Sequence, residues 1–95
     1  MEIRPNCENC NKPLPYDSEE AMICTFDCTF CADCVTGILE DVCPNCGGNF
    51  ERRPIRPKSL LKKYPISKKA VLNPIKKATF EEKKRQLKPI APADR

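Results

Sequence analysis

The eight cysteines constrain the fold of this chain more than any other feature of its sequence. All of them lie between residues 7 and 46, in four couples whose partners are separated by two, three, two and two residues. A gap of two residues lets a tight turn aim both sulfurs at one ion about 2.3 Å away, and two such turns complete a tetrahedral site. Eight thiols therefore predict two closed four-cysteine sites. In chain order the couples are Cys7 and Cys10, Cys24 and Cys28, Cys31 and Cys34, and Cys43 and Cys46.

Metal binding, rather than disulfide bonding, is the expected use of these thiols. The N-terminal residues contain no apolar run typical of a signal peptide, and no segment approaches the roughly 18 apolar residues of a membrane span. We therefore expect a cytoplasmic protein with no membrane partner, and in a reducing compartment closely spaced cysteines indicate metal ligands. Two Zn²⁺ ions are the predicted cofactors. Iron in one or both sites is the alternative, because a tetrahedron of four sulfurs accepts either metal.

Residues 1–50, called the head below, are predicted to form a small metal-stabilised α+β domain. A domain of this size buries little surface, so metal binding is expected to supply much of its folding free energy. The segment 21–30, rich in Ile, Thr and Phe, predicts a short β-hairpin with Phe26 and Phe30 in the core. Asp33 fits the cap of a helix over residues 34–42, whose apolar residues follow helical spacing.

Residues 51–95, called the arm below, are predicted to be basic, proline-rich and extended, with short helical segments. They contain fifteen Lys or Arg residues, four acidic residues, six prolines and no cysteine. Prolines restrict their neighbours to extended conformations. The strongest helix candidate in the arm is 79–88, where Thr79 and Glu82 fit a capping box and Pro89 follows the end.

The order of local elements favours a crossed pairing of the couples. A knuckle, a hairpin and a helix that starts at the third couple make a treble clef, so the first and third couples are predicted to share one ion and the second and fourth the other. Sequential pairing of neighbouring couples is the alternative. In the crossed arrangement, site 1 contains Cys7, Cys10, Cys31 and Cys34, and site 2 contains Cys24, Cys28, Cys43 and Cys46.

Two resemblances follow from these motifs. The cysteine order C-x2-C-x13-C-x3-C-x2-C-x2-C-x8-C-x2-C resembles a RING finger with cysteine in place of the usual histidine. The stretches RPNCENC, LPYDS, ICTFDCTFC, CPNCGG and RRPIRP together resemble a small family of bacterial proteins known as domain of unknown function 1272, over residues 1 to about 57. The resemblance implies a RING-like, zinc-binding bacterial module and no particular activity.

The chain departs from RING-type ubiquitin ligases at two positions. Such ligases usually carry an aliphatic residue within the first couple, where this chain has Glu8 and Asn9. Many also carry Arg or Lys directly after the last cysteine, where Gly47 stands. Both departures argue against ligase activity.

Catalysis is not expected on this framework. Histidine is absent, and each predicted four-cysteine site leaves its metal no open coordination position for water. Ser18 and Ser59 have no base to activate them. We therefore expect no enzyme activity, no catalytic residues and no small-molecule substrate.

The charge distribution leaves three uses for the arm. The head carries two basic and nine acidic residues, whereas the arm has the opposite sign. In the first, the arm docks on the acidic head, and its apolar residues Leu60, Leu61, Val71, Leu72 and Ile75 cover the surface of the head. In the second, the head acts as an adaptor for a protein partner. In the third, the arm binds DNA or RNA with low specificity. The favoured function is a non-catalytic adaptor, and nucleic-acid binding is the alternative. The candidate polyanion contacts are Arg52, Arg53, Arg56, Lys58, Lys62, Lys63, Lys68, Lys69, Lys76 and Lys77.

Overall fold

The structure is a computed structural model that describes every residue from 1 to 95. It is a small α+β fold with one antiparallel sheet of three strands, in the order β2-β1-β3. The strands are β1 (Ala21–Ile23), β2 (Thr29–Cys31) and β3 (Glu51–Arg52). Helix α1 (Ala32–Cys34) continues into a π-helical turn, Val35–Leu39, and helix α2 (Lys77–Leu87) lies in the arm. Short 3₁₀ turns occur at Lys58–Leu60 and Pro92–Asp94.

The predicted hairpin is present as β1 and β2. Ala21 pairs with Cys31 and Ile23 with Thr29, so the segment between the strands contains the turn. Strand β3 has no counterpart in the sequence prediction; it extends the sheet on the other side of β1, where Ile23 pairs with Glu51. The first residues of the arm thus belong to the same sheet as the head.

The prediction that Phe26 lies in the core is wrong, because its side chain is 70% exposed. Phe26 occupies the hairpin turn, and its backbone N–H donates to the Cys24 sulfur at 3.3 Å. The next residue, Asp27, has φ of 62°. The backbone of this turn faces the sulfur, and the aromatic ring points into solvent. Phe30 is buried as predicted and packs edge-on against Phe50, with ring centroids 5.5 Å apart.

The helix after the hairpin begins and ends earlier than the predicted 34–42. It starts at Ala32, its N-cap is Cys31 rather than Asp33, and no side chain caps it. The helical segment ends at Leu39 because Glu40 and Asp41 both adopt the left-handed region, with φ of 47° and 64°. This reversal turns the chain inward, so that the following Val42 is buried outside the helix.

Cysteines make up a large share of the core. The main cluster of buried hydrophobic residues has fourteen members, and six of them are cysteines. Seven of the other eight are in the head, and the eighth is Phe80 of α2. The core therefore depends on the cysteine sites and on one residue of the arm.

The arm lies along the head. The Ser67 N–H donates to the Ile3 carbonyl at 2.9 Å, and the Asn73 N–H to the Glu8 carbonyl at 2.7 Å. Of the apolar residues expected to cover the head, Leu60 and Leu72 are instead largely exposed, and the others are half-buried. Helix α2 contributes Phe80, the one arm residue among the buried members of the core cluster.

Helix α2 starts two residues before the predicted start at 79 and ends one residue before the predicted end at 88. The capping box is absent: Lys76 is the N-cap, and the Thr79 hydroxyl donates to the Lys76 carbonyl. Neither this helix nor α1 combines the length and the apolar character that a membrane crossing requires.

Candidate metal centres

The first centre contains the four sulfurs of the first and third couples, all within 4.8 Å of one another. Cys7 and Cys10 stand on a tight turn, which the Asn11 N–H closes by donating to the Cys7 carbonyl at 3.0 Å. Cys31 ends β2, and Cys34 ends α1. The junction of hairpin and helix therefore holds one couple against the N-terminal turn.

The second centre contains sulfurs of the second and fourth couples. Cys24 and Cys28 flank the hairpin turn, and their sulfurs lie within 4.8 Å of each other and of Cys43. Cys46 lies outside that group, although it is near enough to the thiols of Cys43 and Cys24 for them to affect its pKa. Cys43 and Cys46 stand on a turn that ends at Gly47, whose φ is 80° and whose N–H donates to the Cys43 carbonyl at 2.8 Å.

The structure brings the couples together in the crossed order, first with third and second with fourth. The sequential alternative is not the arrangement found. The reason is topological, because the hairpin places Cys24 and Cys28 at its turn and Cys31 at its opposite end. Neighbouring couples therefore face opposite ends of the sheet.

The sulfur spacing fits a tetrahedral metal site. The Cys7–Cys34 and Cys10–Cys31 sulfur pairs are each 3.8 Å apart. A tetrahedron with metal–sulfur bonds of about 2.3 Å has edges of about 3.8 Å. A disulfide bond is only about 2.05 Å long, and all eight cysteines are free thiols. Thiolate sulfurs suit zinc or iron, so the cysteines of both clusters fit the predicted metal ion.

Burial makes the ionised form of several thiols unfavourable in the absence of a cation. It raises the pKa of Cys24 to about 11 and also raises the pKa values of Cys34 and Cys43. A buried thiolate is stable only next to a positive charge or several hydrogen-bond donors. A bound cation would supply that charge at both centres.

Cys10 and Cys46 are the exceptions, because the pKa of each of these exposed thiols is lowered. Burial acts to raise the pKa of Cys46, but the Gly48 N–H, the neighbouring thiols and the positive charge of Lys83 together outweigh it. Lys83 belongs to α2, so the arm contributes a charge next to the second centre.

Two asparagine side chains donate to the buried sulfurs. Asn9 Nδ2 lies 3.3 Å from Cys34 Sγ, and Asn45 Nδ2 lies 3.3 Å from Cys28 Sγ. Neither asparagine is among the site residues predicted from the sequence. A sequence pattern could have identified them, since both CENC and CPNC carry asparagine directly before their second cysteine.

Arg53 is the one predicted polyanion contact that is buried. Its side chain is fully buried, and its guanidinium donates to the carbonyls of Arg4, Leu14 and Pro15 at 2.9, 3.2 and 2.7 Å. Burial lowers its pKa, and no carboxylate pairs with it. Arg53 therefore joins β3 to the N-terminal loops and is not available to a phosphate.

The other predicted polyanion contacts lie at the surface but differ in their partners. Arg52 is 3.6 Å from the Glu19 carboxylate, and Arg56 donates to the carbonyls of Tyr64 and Met1. The remaining seven are exposed lysines that form no ion pair within the chain: Lys58, Lys62, Lys63, Lys68, Lys69, Lys76 and Lys77. The ion pairs that link α2 to the head instead use Lys84 and Lys88, which both contact Glu40.

Comparison with known proteins supports the relationship that the motifs indicate. The family model described as "Protein of unknown function (DUF1272)" matches residues 1–56. The protein of Rhizobium meliloti (strain 1021) named "Uncharacterized protein R02474" is 60% identical over 74 residues, which are 78% of this chain and 88% of that protein. That match is longer than the family segment and so includes part of the arm. No solved structure matches the chain. The chain therefore belongs to the DUF1272 family.

Proposed function

We propose that this chain is a non-catalytic zinc-binding module that acts by holding a protein partner. The observation that carries the proposal is the pair of cysteine clusters. In the first, four sulfurs lie together and two pairs of them have the 3.8 Å spacing of a tetrahedral site, and in the second, three sulfurs lie within 4.8 Å of one another. Bound zinc in a site of four thiolates crosslinks the chain and leaves no position for a reacting water. Zinc is favoured over iron because two complete sites with no redox partner motif fit a structural role.

The head is best described as a RING-like cross-brace with a treble clef at the first centre. A cysteine knuckle, a hairpin and a helix follow one another, and the helix carries Cys34. Glu8, which stands where RING ligases carry an aliphatic residue, is buried. Its carboxylate accepts from Arg4 at 2.9 Å and from the Thr29 N–H at 2.6 Å. This residue supports the fold, which is consistent with an adaptor that lacks ligase activity.

Metal content and its pairing test the two-centre model. Elemental analysis of the folded protein is expected to give two zinc ions per chain. Replacing Cys7 and Cys10 together by serine should release one ion, and so should replacing Cys31 and Cys34, because each double variant removes half of the same site. All four substitutions together should still release only one ion. Loss of both ions from the quadruple variant, or fewer than two in the wild type, would contradict the model.

A protein-binding role is supported by exposed apolar residues at one end of the molecule. Phe26 is 70% exposed, and Met1 and Ile55 are each about half exposed. The segments that carry them are joined, since the Glu2 N–H donates to Asp27 and Arg56 donates to the Met1 carbonyl. Exposed aromatic residues are enriched at protein interfaces. We therefore place the partner-binding surface around the hairpin turn.

Nucleic-acid binding is the second candidate, and the seven unpaired lysines favour it. They lie between residues 58 and 77, and none of them takes part in the ion pairs that Glu40 forms with Lys84 and Lys88. A surface of this kind neutralises phosphates without reading sequence, and its affinity falls steeply with salt. Tyr64 is the only exposed aromatic residue among them, so base stacking contributes little.

One comparison of two full-length variants separates the two candidates. Phe26→Ala is expected to reduce capture of the protein partner from a host lysate treated with nuclease, and to leave binding to a random DNA duplex unchanged. Replacing Lys58, Lys62 and Lys63 by glutamine should leave protein capture unchanged. If nucleic acid is the ligand, the lysine variant should also lower the slope of log K against log salt by about 0.9 for each phosphate that it no longer neutralises. A wild-type protein that shows no salt-dependent DNA binding would exclude the second candidate, and unchanged capture by Phe26→Ala would contradict the first.

A further inference from the structure

The two cysteine turns of the head make the same kind of hydrogen bond to the cysteine couple on the other side of their centre. In each turn the residue before the second cysteine is asparagine, and its amide donates to a sulfur of the other couple in its centre. Asn9 donates to Cys34 and Asn45 donates to Cys28, both at 3.3 Å. In both centres the accepting sulfur belongs to the second cysteine of its couple. The same arrangement at two separate centres indicates a common role.

The accepting sulfurs are buried, so the amides replace donors that water would otherwise provide. Cys34 and Cys28 are only 5% and 6% exposed. Four thiolates around one divalent cation leave a net negative charge, and hydrogen bonds to the sulfurs disperse that charge and hold each ligand in orientation. Groups of this kind commonly contribute a factor of about 10 to 100 in metal affinity.

The arm is attached to these same two turns. The Ile75 N–H donates to Asn9 Oδ1 at 2.9 Å, so the Asn9 amide is held at both ends, by the arm and by the sulfur. The two partners also fix its orientation, because a flipped amide would place its oxygen against the thiolate. At the other turn, Lys83 Nζ donates to the carbonyls of Pro44 and Asn45 at 3.0 and 3.4 Å.

We propose that Asn9 and Asn45 are positioning residues for the two metal centres, and that the arm slows metal release by holding these residues on their sulfurs. This inference rests on the proposed metal-binding function. Each asparagine acts on its own centre, through Cys34 for the first and Cys28 for the second. Docking of the arm and retention of the metal are therefore coupled, and each stabilises the other.

The test measures how fast each centre opens in the full-length, zinc-loaded protein. A chelator and N-ethylmaleimide are added together, and mass spectrometry follows alkylation of the peptides that carry each set of cysteines. Asn9→Asp keeps an oxygen for the Ile75 N–H but replaces the N–H donor by an anion. It should speed alkylation of the first centre about tenfold and leave the second unchanged. Asn45→Asp should have the reverse effect. Asn49→Asp adds the same charge near the second turn without a sulfur contact, and should match the wild type.

Lys83→Met tests the role of the arm directly. It removes the two hydrogen bonds to the second turn while the half-buried stem remains, so it should speed opening of the second centre only. If an aspartate variant does not fold, Lys83→Met still tests whether the arm slows metal release from the second centre. Wild-type rates in Asn9→Asp, Asn45→Asp and Lys83→Met alike would overturn the inference. Equal acceleration of both centres would also overturn it, because that result indicates general destabilisation. A wild type with fewer than two ions contradicts the proposed function instead.

Discussion

Chelation of the metal is expected to unfold the head and to release the arm from it. In small zinc peptides, structural zinc contributes an apparent binding free energy of roughly 10 to 16 kcal/mol, and this becomes folding free energy when the apo site is disordered. Six of the fourteen residues in the core cluster are cysteines, so without metal the core loses the crosslinks that hold its members together.

Regular secondary structure cannot compensate for this loss. The strands are three, three and two residues long, and only 14 of the 38 backbone hydrogen bonds lie within helices or strands. Isolated elements of this length are not stable in water. The head therefore has no independent framework that would survive removal of the metal.

Amide chemical-shift dispersion in an NMR spectrum measures the effect. With excess chelator and a reducing agent, the dispersed signals of the head and of α2 should collapse to random-coil positions. Addition of zinc should restore them, which serves as the control for irreversible damage or disulfide formation. Retained dispersion in a sample shown by elemental analysis to contain no metal would contradict a metal-dependent fold.

Phe80→Ala is expected to destabilise the zinc-loaded protein by about 3–5 kcal/mol, the usual cost of removing a buried phenylalanine ring. Phe80 is the one buried residue of α2, only 5% exposed, and it belongs to the core cluster of the head. The Lys84 ammonium also lies 5.7 Å from the centre of its ring. Loss of the ring should therefore detach α2 as well as open a cavity.

Urea denaturation of the zinc-loaded variant gives the change in the free energy of unfolding, and the rate of tryptic cleavage within α2 reports its detachment. Leu72→Ala provides the matched control, because Leu72 lies in the same arm but is 52% exposed. Its effect should stay within about 0.5 kcal/mol. If the two variants lose the same stability, then α2 is not held by its apolar contact.

The cysteine couples of the two candidate centres could be predicted from the sequence because the spacing within a couple is a local property. A couple separated by two or three residues meets at one point wherever the chain goes. The sequence left two pairings open, however, because which couples meet depends on the hairpin and its register. The structure resolves this by placing Cys24 and Cys31 near opposite ends of the hairpin.

The sequence predictions that are wrong concern residues whose environment is set by distant parts of the chain. The apolar character of Phe26 predicts a core residue, but the turn that positions Cys24 leaves its ring in solvent. The basic composition of the arm predicts a surface position for Arg53, but this residue is buried and donates to carbonyls 38 to 49 residues away in the sequence. Composition and periodicity do not reveal such long-range hydrogen bonds.

The sequence by itself determined the four cysteine couples, the hairpin, the approximate positions of both helices and the charge contrast between head and arm. Each of these follows from residues that are close together in the chain. Only the tertiary structure decided that the couples cross, that β3 and Phe80 bring the arm into the fold, and that Asn9 and Asn45 contact sulfurs. The physical reason is that these features arise where distant segments meet, and packing and hydrogen bonding are satisfied there by the whole chain at once.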